Sequence, residues 1–185
     1  MALPITPVQI LWVNMITAVT LGIALAFEPT EANTMQRPPR PRSEPLLSGS
    51  LVWHIILVAS LFLGGVFGIY TYAVERGYPI ELARTMAMNT LVVMEIFHLL
   101  FIRNMYARSL DWKKLRGTRA VWTAIFIVAV GQFAITYIEP LQAVFQTQDV
   151  QLVDGLLIML TGVALFVIIE SEKQLRLRLA GKYKV

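Results

Sequence analysis

Four polar side chains stand where an otherwise apolar chain has little reason to keep them. Asn14 and Thr17 lie three residues apart in a run that is apolar from residue 3 to 27, with Gln9 before them and Thr20 after. Steps of three residues bring Asn14, Thr17 and Thr20 near one stripe of a helix. Amide and hydroxyl oxygens can replace the water shell of a hard cation. The same groups also hydrogen-bond between helices with no ion present, and spacing alone allows both. In a later apolar run Glu95 and His98, at i and i+3, share a helix face. A carboxylate buried there unpaired costs several kcal/mol, so Glu95 is either functional or one half of a pair with His98 or a glutamine. Asn89, six residues earlier, is expected on roughly the same side. The candidate cation-binding set is therefore Asn14, Thr17, Glu95 and His98. No catalytic or cofactor-binding residue is expected.

The elements that must position these groups follow from composition. Of 185 residues, 56% are hydrophobic and only 15% charged, and mean hydropathy is +0.62. A soluble domain runs at roughly 45–50% apolar and about 25% charged. The excess is gathered into five runs, 3–27, 51–74, 82–102, 120–138 and 152–169, each of a length that crosses a bilayer. The expected fold is all-α, a polytopic membrane helix bundle of five transmembrane helices forming a single transmembrane domain over 1–185. A soluble enzyme, a nucleic-acid-binding domain and a disordered chain are excluded. The absence of cysteine removes disulfides, thiolate metal sites and cysteine nucleophiles together.

Charge orients the bundle. Fourteen of the sixteen Lys and Arg residues fall in the linker 28–50, the loop 103–119 and the tail 170–185. Only Arg76 and Arg84 fall on the other side. By the positive-inside bias the N-terminus lies outside and the C-terminus in the cytoplasm, with all three basic segments cytoplasmic. An outside N-terminus that opens directly on apolar sequence leads to the expectation that the chain is cut from something longer. The linker, with Pro29, Pro38, Pro39, Pro41 and Pro45, forbids a helix. It is either a stiff spacer or a docking strap for a cytoplasmic domain. Tyr106 and Trp112 in the basic loop read as interfacial anchors. Gly64 and Gly68 have the spacing of a close helix contact, and Gln132 is expected to be packing glue. Neither a nucleotide-binding loop G-x-x-x-x-G-K-[ST] nor an Asp-Lys-Thr-Gly phosphorylation motif is present.

The run Pro7-Val-Gln-Ile-Leu-Trp-Val-Asn-Met-Ile-Thr17 resembles the sixth membrane helix of type II P-type cation-transporting ATPases. The likeness continues through Ala24-Leu-Ala-Phe-Glu-Pro29, Met35-Gln-Arg-Pro-Pro-Arg40 and Glu44-Pro-Leu-Leu-Ser-Gly49, as in calcium pumps and their bacterial relatives. The later runs are similar to that family's seventh to tenth helices in length, order and sidedness. The resemblance implies the C-terminal membrane domain of an ATP-driven cation pump, in a bacterial inner membrane. Its partners would be the remaining helices and the cytoplasmic ATPase domains of the parent, with Mg-ATP bound there and no cofactor in this chain. It also implies that Asn14 and Thr17 match two sixth-helix ligand positions, and that Glu95 or His98 could complete part of a site from the eighth. Ala18 stands where the calcium-pump pattern has Asp, which implies one ion, a monovalent ion or a proton rather than two calcium ions. The alternative is a stand-alone five-span regulatory or assembly subunit. An autonomous channel would need oligomers.

Overall fold

The computed structural model describes residues 3–27, 49–102 and 119–182. The linker 28–50, save its last two residues, and the loop 103–119, save Arg119, lie outside them. The described residues are helical apart from short turns. In chain order the elements are α1 (Pro7–Val13), a π-helical turn (Asn14–Val19), α2 (Thr20–Ala26), α3 (Gly49–Glu75), α4 (Ile80–Ile102), α5 (Arg119–Tyr137), α6 (Glu139–Phe145) and α7 (Leu152–Lys182). Four of these, α3, α4, α5 and α7, are long and apolar enough to cross a membrane. The first expected span takes a different form: α1, the π turn and α2 run into one another over residues 7–26, an interrupted helix about 30 Å long at about 1.5 Å per residue.

Local chemistry sets the ends. Thr6 and Gln9 form a reciprocal capping box at the start of α1, with Pro7 at the first helical position, where its missing N–H costs nothing. At the end of α3, Tyr78 N–H donates to Ala73 O and Gly77 N–H to Val74 O, at 3.1 and 3.0 Å. This double closure needs a left-handed residue, and Gly77 supplies it with φ +74°. The residue after α6, Gln146, takes the same region with φ 54° and turns the chain back toward α7.

One helix is central. Half of the α4 span is buried inside the bundle, against 17% for α3. It contributes Met88, Val92 and Leu99 to a core with Val13, Val121, Val128 and Ile135. On its other faces it meets α3 and α7, through Met86 against Ile69 and Ile158 and through Met94 and Phe101 against Leu165 and Ile169. The outward faces are strongly apolar: Leu63, Phe126, Phe133, Leu152 and Leu160 are all exposed. That pattern would be a liability in water and is what a lipid-facing surface requires. The chain is an integral membrane protein built as a helix bundle.

Two expectations change. Gly64 and Gly68 meet nothing within 4 Å. The close contact is made by Gly65, where an added Cβ would lie 2.7 Å from Met94 Sδ, and by Gly162, where it would lie 2.5 Å from Phe97 Cδ2. The fifth run is bounded at residue 169 in the sequence, but the helix does not end there: α7 continues through Glu170 to Lys182. The Glu170 carboxylate is carried by an ion pair with Lys173 at 2.7 Å, and both residues are buried. A paired charge one turn along removes the penalty that would have broken the run.

Candidate functional site

The polar end turns come together first, because they hold the site from one side. Gln9 Nε2 donates to Phe145 O at 3.0 Å, and Arg84 Nε donates to Leu3 O at 3.0 Å. Gln148 N–H donates to Thr85 Oγ1 at 3.0 Å, and Tyr137 Oη donates to Val150 O at 2.9 Å. Thr147 Oγ1 also donates to Ile135 O. Residues far apart in sequence are thereby fixed at one end of the bundle, and Gln9 is part of this clamp.

Farther along, the first helix changes geometry. Trp12 and Ile16 lie against Gly131 of α5, where an added Cβ would come within 3.2 Å of Trp12 Cζ2. Trp12 Nε1 donates to Gln132 Oε1 at 3.1 Å. Gln132 Nε2 in turn donates to Asn89 Oδ1 at 2.5 Å, and Thr136 Oγ1 reaches the same oxygen at 3.3 Å. Gln132 is glue, as expected. Asn89 belongs to this network and not to the face of Glu95: six residues at about 100° each place it some 120° away. Immediately after Trp12 the helix widens into the π turn Asn14–Val19. Thr17 Oγ1 donates to Val13 O at 2.6 Å, drawing that carbonyl toward a side chain. Single π turns inside α-helices mark functional positions more often than ordinary ones.

The widened turn faces α4, and an open cavity of about 300 Å³ lies between them. Asn14, Thr17 and Ala18 line it from the π turn, and Glu95 and His98 from α4. Gly22, Leu99 and Ile102 also line it. All four sequence-selected residues therefore meet at one place. Thr17 is buried, Asn14 is exposed, and Glu95 and His98 are half-buried. Glu95 Oε2 and His98 Nε2 are buried atoms with no hydrogen-bond partner among the described residues. The simple alternative, a Glu95–His98 pair closed through those two atoms, is not what the side chains form.

Sequence reasoning missed what holds His98. Its ring stacks on His54 with centroids 5.9 Å apart and on Phe101 at 6.3 Å, and Phe62 meets it edge-on at 5.9 Å. Lys173 lies over the Phe101 ring at 4.8 Å, and Trp53 Nε1 donates to Glu172 Oε1 at 3.1 Å. The available signal was a histidine and a tryptophan in the first turns of an apolar helix. Among the described residues no three His, Asp or Glu side chains converge on one point. The cavity thus gathers one carboxylate, one imidazole, one amide and one hydroxyl along its lining.

Residues 2–175 match the family described as "Cation transporting ATPase, C-terminus". The chain belongs to this family. It is 37% identical over 171 residues to a probable cation-transporting ATPase F of Mycobacterium tuberculosis, covering 92% of this chain and 19% of that protein. It is 30% identical over 170 residues to the mouse calcium-transporting ATPase type 2C member 2, covering 91% of this chain and 18% of that protein. A cation-transporting ATPase of Synechocystis, pma1, is 36% identical over 130 residues, covering 70% of this chain and 14% of that protein. The chain spans about a fifth of the length of the relatives it matches. As a cation-ATPase C-terminal domain, it carries the membrane bundle described above, with the π turn in the helix that bears the family resemblance.

Proposed function

We propose that the chain supplies the sixth to tenth membrane helices of an ATP-driven cation pump. In that arrangement the cavity between the π turn and α4 holds part of the transported ion's coordination shell. The supporting observation is the meeting of Asn14, Thr17, Glu95 and His98 at one cavity, with two of its polar atoms lacking partners. Oxygen donors on a widened helical turn can take over an ion's hydration, and their cost in an apolar bundle is offset when the ion is bound. Ala18 lines the same cavity, so this half offers a single carboxylate, which favours one cation per cycle.

In this reading Mg-ATP acts on cytoplasmic domains of the parent, which are this chain's partners. The basic segments face the cytoplasm of a bacterial inner membrane, and the clamped end near Thr6, Gly77 and Gln146 lies outside. The test is cation-dependent phosphorylation of the full-length protein. Asn14→Ala and Glu95→Gln should each abolish it or shift it to much higher cation concentration. Full cation activation in both variants overturns the site.

A further inference from the structure

Resting on that reading, we infer that Gly131 of α5 is a positioning residue for the transported cation. It sets where the π turn stands relative to α4, and through that the affinity of the site, although α5 contributes nothing to the cavity wall.

Among the described residues the cavity is lined only by the π turn with Gly22 and by α4. Neither wall fixes its own place relative to the other, and the common reference is α5. Gln132 and Thr136 of α5 meet Asn89 of α4, and Gln132 also takes the Trp12 indole N–H. Gly131, one residue before Gln132, receives the edge of the same indole together with Ile16 of the π turn. A Cβ there would lie 3.2 Å from Trp12 Cζ2, 3.4 Å from Trp12 Cη2 and 3.3 Å from Ile16 Cδ1. All three of its nearest atoms belong to the first helix, which is seated at this point against bare backbone.

A glycine inside a helix weakens that helix relative to alanine. Gly131 turns no corner, since it lies within α5 and its φ is not positive. What it provides is closeness. An added methyl requires the first helix to yield by a few tenths of an ångström. The indole cannot swing aside without giving up its bond to Gln132. Ile16 passes the displacement to its neighbour Thr17 and, two residues back, to Asn14, all within the one π turn. A site performs only with its ligands held within about 0.5 Å of their working positions. A displacement of that order is therefore read as affinity.

The test uses the full-length protein carrying this chain, with phosphorylation titrated separately in calcium, sodium and potassium. The ion that activates the wild type is then read in the variants. Gly131→Ala should raise its half-activating concentration by about threefold to tenfold, while the maximum phosphoenzyme per folded protein is kept. Ile16→Val removes the methyl that meets the new Cβ. The shift caused by Gly131→Ala should therefore be smaller in the Ile16→Val background than in the wild type, a coupling that a double-mutant cycle reads. If Gly131→Ala does not fold, Ile16→Ala empties the same seat from the other side and should shift the half-activating concentration to a similar extent. An unchanged half-activating concentration, a loss of maximum alone, or equal shifts in both backgrounds overturns the positioning role and leaves Gly131 as packing. Activation by none of the three ions, or activation indifferent to Asn14→Ala and Glu95→Gln, overturns the underlying cavity reading and this inference with it.

Discussion

The indole of Trp12 donates to the side-chain oxygen of Gln132 at 3.1 Å, joining two helices across 120 residues of sequence. The bond lies one turn from the residues that line the cavity, and Gln132 passes it on to Asn89 of α4 at 2.5 Å. The helices α1, α4 and α5 are thus tied through a single amide. Gln132→Leu leaves the Trp12 donor and the Asn89 acceptor without this partner, at an expected cost of about 1–2 kcal/mol. A lowered unfolding midpoint in detergent checks this. An unchanged midpoint would mean that apolar packing alone sets the spacing of the helices.

Two glycine substitutions should separate close packing from open surface. An added methyl at Gly162 runs into Phe97 and Val93, so Gly162→Ala should destabilise by about 1–3 kcal/mol. Gly68 has nothing within 4 Å, and Gly68→Ala should stay within about 1 kcal/mol of the wild type or improve on it. Thermal melts of the two variants side by side give the comparison, and equal behaviour would contradict the contacts described.

The Glu170–Lys173 pair predicts strong coupling. Lys173→Ala leaves the buried Glu170 carboxylate with the Gln174 amide at 2.7 Å but without its counter-charge, and should cost about 3–5 kcal/mol. Glu170→Gln combined with Lys173→Met should recover most of that loss, because an uncharged pair needs no compensation. A double-mutant cycle on unfolding in detergent measures the coupling. Additive effects would show that the two charges do not depend on each other.

Ala18→Asp tests the charge of the cavity from the opposite direction. It adds a second carboxylate to a wall already lined by Glu95. In the full-length protein, calcium should then support phosphorylation at concentrations lower by about tenfold or more, since ligand charge count tunes calcium affinity. Titration of calcium-dependent phosphoenzyme reads the shift. No gain would place residue 18 outside the coordination shell.

Much of the site was legible because polar groups in apolar helices are costly and therefore conspicuous. Asn14, Thr17, Glu95 and His98 stood out on that ground alone, and the cavity gathers all four. What sequence could not show depends on neighbours. The π turn arises where Thr17 takes the Val13 carbonyl and Trp12 and Ile16 seat on Gly131, a contact made 115 or more residues away. Asn89 was misplaced by treating six residues as a return to the same face. Gly64 and Gly68 carried the right spacing on the wrong side of α3, because spacing marks a face without saying which helix meets it. That Glu170 stays inside a helix depends on Lys173, a partner recognised only once both are wound onto one helix.

The first helix is fixed by different means along its length. Its first segment is held by Gln9 on Phe145 and Gln146, by Leu3 on Arg84 and by Trp12 on Gln132. Beyond the π turn, α2 packs along α5, while Gly22, Ile23, Ala26 and Phe27 stay exposed. A rod anchored on both sides of a softened middle behaves as a coupling between its two anchors. Relative movement of the anchored parts is taken up at Asn14–Val19, the turn that lines the cavity.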